Sequence, residues 1–399
     1  MDLRIVGGRT LIDGRFEEAA VGVDDGIIAA LGSDAPARAT LDAAGLLVLP
    51  GIVDIHGDAF ERQMMPRPGV AVATDVALLD SDRQVVANGM TTVFHGVTWS
   101  WEPGLRGAEN ARGILRALES LQQRLAADTR FHLRHETYNV ACEDEIKQWI
   151  GARRIHAVAF NDHLPSANTI ANRPERVDEM ARRAGLARED FLALVERLRA
   201  LKDEVPKSIR RIAARAVAEG VPLLSHDDAS PEQRAAFRAL GCRLSEFPMN
   251  IETAQAAAAA GDAIVLGAPN VMRGKSHLGW VNATTMVAQG LCSVLASDYY
   301  YPAPLIAAFR LAARGAAPLE KAWRLVSEEP ARAASLNDRG RIERGLRADV
   351  VVVDATTPLP QVVAVVAAGR LVHMTDGARL TGKLPARSVA PSPTATASV

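Results

Sequence analysis

LLVLPGIVDIHGDAFERQMMPRPG, residues 46–69, is the stretch from which the fold can be read. Its apolar run passes Pro50-Gly51 and has the character of a short buried strand through Ile52, Val53 and Ile55. His56, Asp58 and Glu61 follow directly, with Arg62 and Arg67 close behind. Residues two apart in a strand face the same way, so His56 and Asp58 can aim at one point just past the strand end. Imidazole and carboxylate so placed suit a divalent metal. A turn or a hydrogen-bonded pair produces the same local pattern, so the weight of the metal reading comes from the rest of the chain.

Downstream, strand-like apolar runs alternate with segments of helical period. The strand candidates are residues 51–56, 91–96, 132–140, 157–163, 222–228, 243–249, 263–270 and 292–298. Between them, residues 111–126 repeat apolar side chains at helical spacing through Ile114, Leu115, Leu118, Leu121 and Leu125. FLALVERLRAL, residues 191–201, does so through Leu194, Val195, Leu198 and Leu201. Strands separated by amphipathic helices pair in parallel, and eight of them predict a closed (β/α)8 TIM barrel, an α/β fold. Upstream, residues 3–48 read as short strands with Asp-Gly hairpin signals at 13–14 and 25–26. After helices expected at 303–315 and 318–335, the chain returns to the same short-strand character. Both ends are therefore expected to build one small β-sandwich: residues 1–50 plus 336–385 beside a barrel of 51–335. A tail at 386–399, rich in Pro, Ser, Thr and Ala, is expected to be disordered.

Composition bounds the partners. With 46 Lys+Arg against 47 Asp+Glu, the net charge of -1 offers no electrostatic case for nucleic acid or an anionic membrane. No stretch of 18 uninterrupted apolar residues occurs, and MDLRIVGGRT lacks the pattern of a signal peptide, so a cytoplasmic protein is expected. Cys142, Cys242 and Cys292 are odd in number and without CxxC spacing, which argues against a disulfide framework. The sequence leaves a homo-oligomer open.

In a (β/α)8 barrel the C-terminal strand ends form the active face. Those ends carry His56 and Asp58, His95, Glu136, Asp162 and His163, His226 with Asp227 and Asp228, Glu246, and Asp298. Four of the nine histidines in the chain fall where strand candidates stop. Core packing explains one such histidine; four with carboxylate companions call for a shared polar centre.

This arrangement resembles the amidohydrolase superfamily, metal-dependent hydrolases that hold two metals in such a barrel. The resemblance implies His56 as the first ligand, with Asp58 where the family has a second His. It further implies His163 and His226 as the middle ligands and Asp298 as the terminal one. Asp58 shifts one position toward harder oxygen ligation, so zinc, iron and manganese all stay open as the divalent metal, two ions in number. The family bridges its metals with a carboxylated lysine or a glutamate. None of the six lysines ends a candidate strand, so Glu136 is the expected bridge.

Four stretches narrow the resemblance: residues 56–69, HGVTWSWEPGLRG (95–107), GAPNVMRGKSHLGW (267–280) and ASDYYYP (296–302). Together they are similar to the diphosphatase family of the carbon–phosphorus lyase pathway. That likeness implies hydrolysis of α-D-ribose 1-methylphosphonate 5-triphosphate to the 5-phosphate and diphosphate, a step of phosphonate metabolism. The substrate is a small, strongly anionic molecule, so a nearly neutral chain must gather cations locally. Arg62, Arg67, Arg273 and Lys275 stand on catalytic-face loops, with His95 and Tyr299 as further expected substrate contacts. Asp298 is expected to take the proton of the attacking water, with Glu136 as the second catalytic carboxylate. A hydrolase of C–N bonds on the same barrel, such as an N-acyl amino-sugar deacetylase or cyclic amidase, is the alternative; it has no need of so many cations. A non-catalytic scaffold fits poorly with a full ligand set.

Overall fold

The computed structural model describes residues 1–67, 69–274 and 282–385 of the 399. All eight expected strands are present: β1 (Ile52–Gly57), β2 (Met90–Trp99), β3 (Asp128–Glu136), β4 (Ala157–Asn161), β5 (Leu223–His226), β6 (Leu244–Glu246), β7 (Ala263–Gly267) and β8 (Val294–Ala296). They pair in chain order, every pair parallel. Helices return the chain between them, Ala108–Leu121 and Val205–Glu219 among these. The chain thus forms an α/β (β/α)8 TIM barrel with a β-sandwich added.

The ring closes at its C-terminal rim, where Asp298 N–H donates to His56 O and Asp58 N–H donates to Asp298 O, both at 2.9 Å. Lower down, β1 and β8 part, and Leu325–Val326 fill the seam. Val53 N–H donates to Val326 O and Leu295 N–H to Leu325 O. The helix expected over 318–335 is accordingly split into Leu319–Arg324 and Glu328–Ala333, because the residues between spend their carbonyls on barrel strands. Asp54 ties the same seam: buried on β1, it accepts Ser297 Oγ–H at 2.5 Å and Ser297 N–H at 3.0 Å.

Alternation along the strands sorts the interior from the helix layer. Val53, Ile55, Phe94, Ala159, Leu224 and Val294 meet inside the barrel, while Val93, Val97, Phe131, Leu133, Val158 and Phe160 face the helices.

Two further sheets come from the chain ends. One orders Leu380–Gly382, Ala39–Asp42, Leu3–Val6, Val21–Asp24 and Ile27–Leu31; the other orders Arg370–Met374, Gln361–Ala367, Val350–Asp354, Leu47–Pro50, Arg9–Ile12 and Arg15–Glu18. Val350–Val353 is buried on both faces: Val350 and Val352 join the core between the sheets, Val351 and Val353 the layer against the barrel. The tail 386–399 lies outside the described residues.

Candidate functional site

A β-bulge decides what β1 presents. The register against β2 slips by one residue between Asp54 and Gly57. Without that extra residue His56 would share the outward face of Asp54; with it, His56 and Asp58 turn inward at the rim. On β3, Arg134 and Glu136 are out of phase with Phe131 and Leu133, so they face the interior too. Three carboxy-terminal positions hold left-handed backbone without being glycine: Asp227 (φ 57°), Phe247 (φ 54°) and Asp298 (φ 54°), just after β5, β6 and β8. Such strain is tolerated where a site needs a side chain re-aimed.

Among the described residues, His, Asp and Glu donor atoms converge in three groups: His56 with Asp58 and Asp298; His163 with His226 and Asp227; and His56 with His226 and Glu246. The first two read as ion positions, the third as their support. Glu246, fully buried, lies 2.6 Å from His56 Nδ1 and 2.7 Å from His226 Nδ1, spacings of direct hydrogen bonds. With both Nδ1 atoms so occupied, both Nε2 atoms are left for ligation, which is how carboxylates orient ligating histidines. His163 Nε2 and His226 Nε2 stand 3.6 Å from the two oxygens of Asp227. Two bonds of about 2.1 Å at a tetrahedral angle set their donors about 3.4 Å apart. The donor set therefore fits divalent ions.

Glu136, expected as the bridge, belongs to none of the three groups. Both its oxygens turn to His163, one 2.6 Å from Nδ1 and the other accepting the backbone N–H at 3.0 Å. It stands behind His163 as Glu246 stands behind His56 and His226. Arg134, 8% exposed, reaches across the rim to Asp58 at 2.9 Å. Gly96 makes room for it, since a Cβ there would sit 3.2 Å from Arg134 Cδ.

The electrostatics follow from burial and pairing. Burial penalises the charged His163 ring, but Glu136 beside it prevails and lifts the imidazole to about 9. Burial would raise Glu136, yet the charge and hydrogen bonds of His163 bring it down to about 2. Glu246 is likewise held well below its ordinary range against burial, by His56 and His226. One carboxylate supports one positive ring: against burial, Glu246 raises His56, whereas burial leaves His226 lowered. Burial, and then the charge of Asp58, push Asp298 up to about 7.

The expected substrate residues separate. Arg62 and Arg273 converge on Tyr299, the residue after Asp298: the Arg62 guanidinium is 6.0 Å from the ring centre and Arg273 donates to Tyr299 Oη at 3.3 Å. Arg67 is exposed in a turn where its carbonyl accepts the Val70 N–H. His95 is buried on the outward face of β2, sharing the parity of Val93 and Val97, with its ring 4.8 Å from that of Phe60. Burial lowers its imidazole to about 3, so it stays neutral. Lys275 lies outside the described residues.

Sequence reading left three residues out of the ligand set and its supports: Glu246, Asp227 and Arg134. Asp227 and Glu246 end strands beside assigned ligands, which is the signal that could have included them. Arg134 shares the parity of Glu136, and that alone marks it as inward. The helix expected over 191–201 is present as Arg188–Arg199; unforeseen are Ala167–Asn172 and Pro174–Ala184, which join it in a helical insertion between β4 and β5 packed on its own core of Val177, Met180, Phe191 and Val195.

The Amidohydrolase family profile matches residues 47–375. The chain is 33% identical over 317 residues to the alpha-D-ribose 1-methylphosphonate 5-triphosphate diphosphatase of Escherichia coli (strain K12), covering 78% of this chain and 84% of that protein. In fold it is similar to dihydropyrimidinase from Brevibacillus agri, with a TM-score of 0.65 at 14% identity over 94% of this chain and 95% of the other. L-Hydantoinase from Arthrobacter aurescens aligns with a TM-score of 0.63 at 14% identity over 94% and 96%. No helix of the described residues is long and apolar enough to cross a membrane.

Proposed function

The chain belongs to the amidohydrolase family, and on that premise we propose that it hydrolyses α-D-ribose 1-methylphosphonate 5-triphosphate to the 5-phosphate and diphosphate. The barrel of residues 51–335 carries the reaction, and the sandwich of 1–50 with 336–385 supports it. The observation that carries this reading is the pair Arg62 and Arg273 gathered on Tyr299, one residue from Asp298. Cations in that place suit a departing diphosphate, and the 33% identity to a diphosphatase over most of the chain points the same way.

Two divalent ions would be held by His56, Asp58 and Asp298, and by His163, His226 and Asp227. When bound they supply Lewis acidity and activation of water at neutral pH. The chain does the rest. Glu246 and Glu136 accept from the Nδ1 atoms and so orient the three rings. Asp298, raised toward neutrality by burial and by Asp58, accepts the proton of the attacking water. Arg134, fixed against Asp58, presents a buried positive charge toward the phosphoryl group. Arg62 and Arg273 offset charge growing on the diphosphate.

Phosphorus NMR of metal-loaded protein tests this, with the ribose methylphosphonate triphosphate beside plain nucleoside triphosphates. Diphosphate released from the first and not from the others is the expected result. Release from neither overturns the proposal and favours attack on a C–N bond.

A further inference from the structure

Arg62 and Arg273 account for one anionic end of a substrate that has two. On the opposite side of the ligand groups, the helical insertion and the ends of β4 and β5 enclose a cavity of about 850 Å³. Its floor is His163, His226 and Asp227; its wall includes Tyr138, Phe160, Leu164 and Met180; its rim carries Arg173, Arg176 and Lys202. These three cations are exposed, and none has an ion-pair or side-chain hydrogen-bond partner among the described residues. Most arginines nearby are already committed: Arg183 to Glu102, Arg199 to Glu196, Arg106 to Glu61 and Arg134 to Asp58. Asp162 is the other carboxylate of the cavity and accepts the Leu164 N–H at 3.2 Å. Glu175 and Glu179 line the neighbouring cavity, of about 680 Å³, which also takes in Arg173 and Arg176.

We infer that Arg173, Arg176 and Lys202 form a binding subsite for a phosphonate or phosphate monoester anion, occupied by the methylphosphonate end of the substrate. The inference rests on the proposed function for the identity of the substrate, but not for the existence of the anion subsite. A molecule whose scissile anhydride sits at the ligand groups and whose diphosphate points to Arg62 and Arg273 must send its sugar the other way. That way lies a cavity within the usual range for small ligands, about 300–1,000 Å³, walled by aromatic and apolar groups. A pentose packs on such a wall, and the anion it carries arrives at the rim, where guanidinium forks hold phosphoryl oxygens in pairs.

The test is the double variant R173A/R176A, read in two ways. In the first, kcat/KM is measured on the ribose methylphosphonate triphosphate and on ribose 5-triphosphate, which lacks the phosphonate. The ratio of the two should fall by about 10- to 100-fold, mostly through KM; an unchanged ratio overturns the subsite, because it means the arginines serve the shared triphosphate or nothing. In the second, α-D-ribose 1-methylphosphonate, without any triphosphate, is titrated calorimetrically into wild type and variant. Binding by wild type that weakens by a similar factor in the variant supports the subsite even if wild type hydrolyses no triphosphate, in which case the proposed function alone fails. Equal binding, or none to either protein, overturns the subsite. Arg173→Lys with Arg176→Lys keeps the charge without the fork and should recover part of the loss, which a folding defect would not allow.

Discussion

Glu246→Gln tests the support of the ion site at one atom pair. The carboxylate is fully buried and takes an Nδ1–H from His56 at 2.6 Å and another from His226 at 2.7 Å. Glutamine keeps one accepting oxygen and turns an NH2 group on the second ring, so at most one imidazole retains its orientation. Removing such an outer partner costs a ligating histidine about 10- to 100-fold in metal affinity, or about 1.4–2.7 kcal/mol. His56 and His226 belong to different groups, so at least one ion should weaken by that factor, and both if the amide satisfies neither ring. In the metal-free chain a donor now faces a donor inside the barrel, which should lower stability by about 1–3 kcal/mol. The measurement is a zinc titration against a chromophoric chelator, with the denaturant midpoint of metal-free protein recorded alongside. A variant that folds and binds both ions as tightly as wild type would refute the role given to Glu246. Loss of more than about a thousandfold would instead make it a direct ligand.

Glu136→Gln should return the His163 imidazole from about 9 toward its ordinary value in metal-free protein, followed by proton NMR, and should lower metal content in plasma emission. Because the folded value of His163 is raised and that of Glu136 lowered, the stability that the pair contributes is fully present between about pH 4.5 and 6.5, is lost as pH climbs through about 9, and is lost again as pH falls through about 2. The variant should flatten that part of the stability curve; an unaltered curve would remove the pair from the account. Asp298 must lose its proton to ligate, so ion uptake by metal-free protein should weaken by up to about tenfold for each pH unit below about 7. Asp298→Asn should abolish turnover and lower that slope by about one proton, leaving the share of the raised His56 and His163 rings, and an unaltered slope would assign it to another group. Arg134→Met leaves the Asp58 carboxylate unpaired at 15% exposure, so metal-free protein should lose about 3 kcal/mol, the low end for breaking a buried pair, with partial recovery on adding zinc. A loss under about 0.5 kcal/mol in urea unfolding would show that the pair is solvated.

Much of the barrel is legible in the chain because parallel strands buried on both faces read as short apolar runs. The residue that ends such a run must lie at the rim. His56, Asp58, His163, His226 and Asp298 are all found that way. His95 has the same signature yet faces the helix layer, since one step of parity along β2 separates it from the interior position of Gly96. His56 would have shared the outward fate without the bulge at Asp54–Gly57. Alternation read from a single strand has no absolute phase; pairing with the neighbour supplies it.

The sequence by itself determined the order of eight strands, the sandwich from both chain ends, and which residue types stand at the rim. Hydrophobic period and turn chemistry are local quantities, and each strand announces them separately. Only the tertiary structure decided that Glu246 supports two rings from strands far apart in the chain and that Glu136 backs His163. It also decided that Arg134 crosses to Asp58 over Gly96 and that the insertion after β4 brings Arg173 and Arg176 to the cavity. Those are distances between segments, set by strand tilt, register and helix packing, and they exist only once the ring has closed.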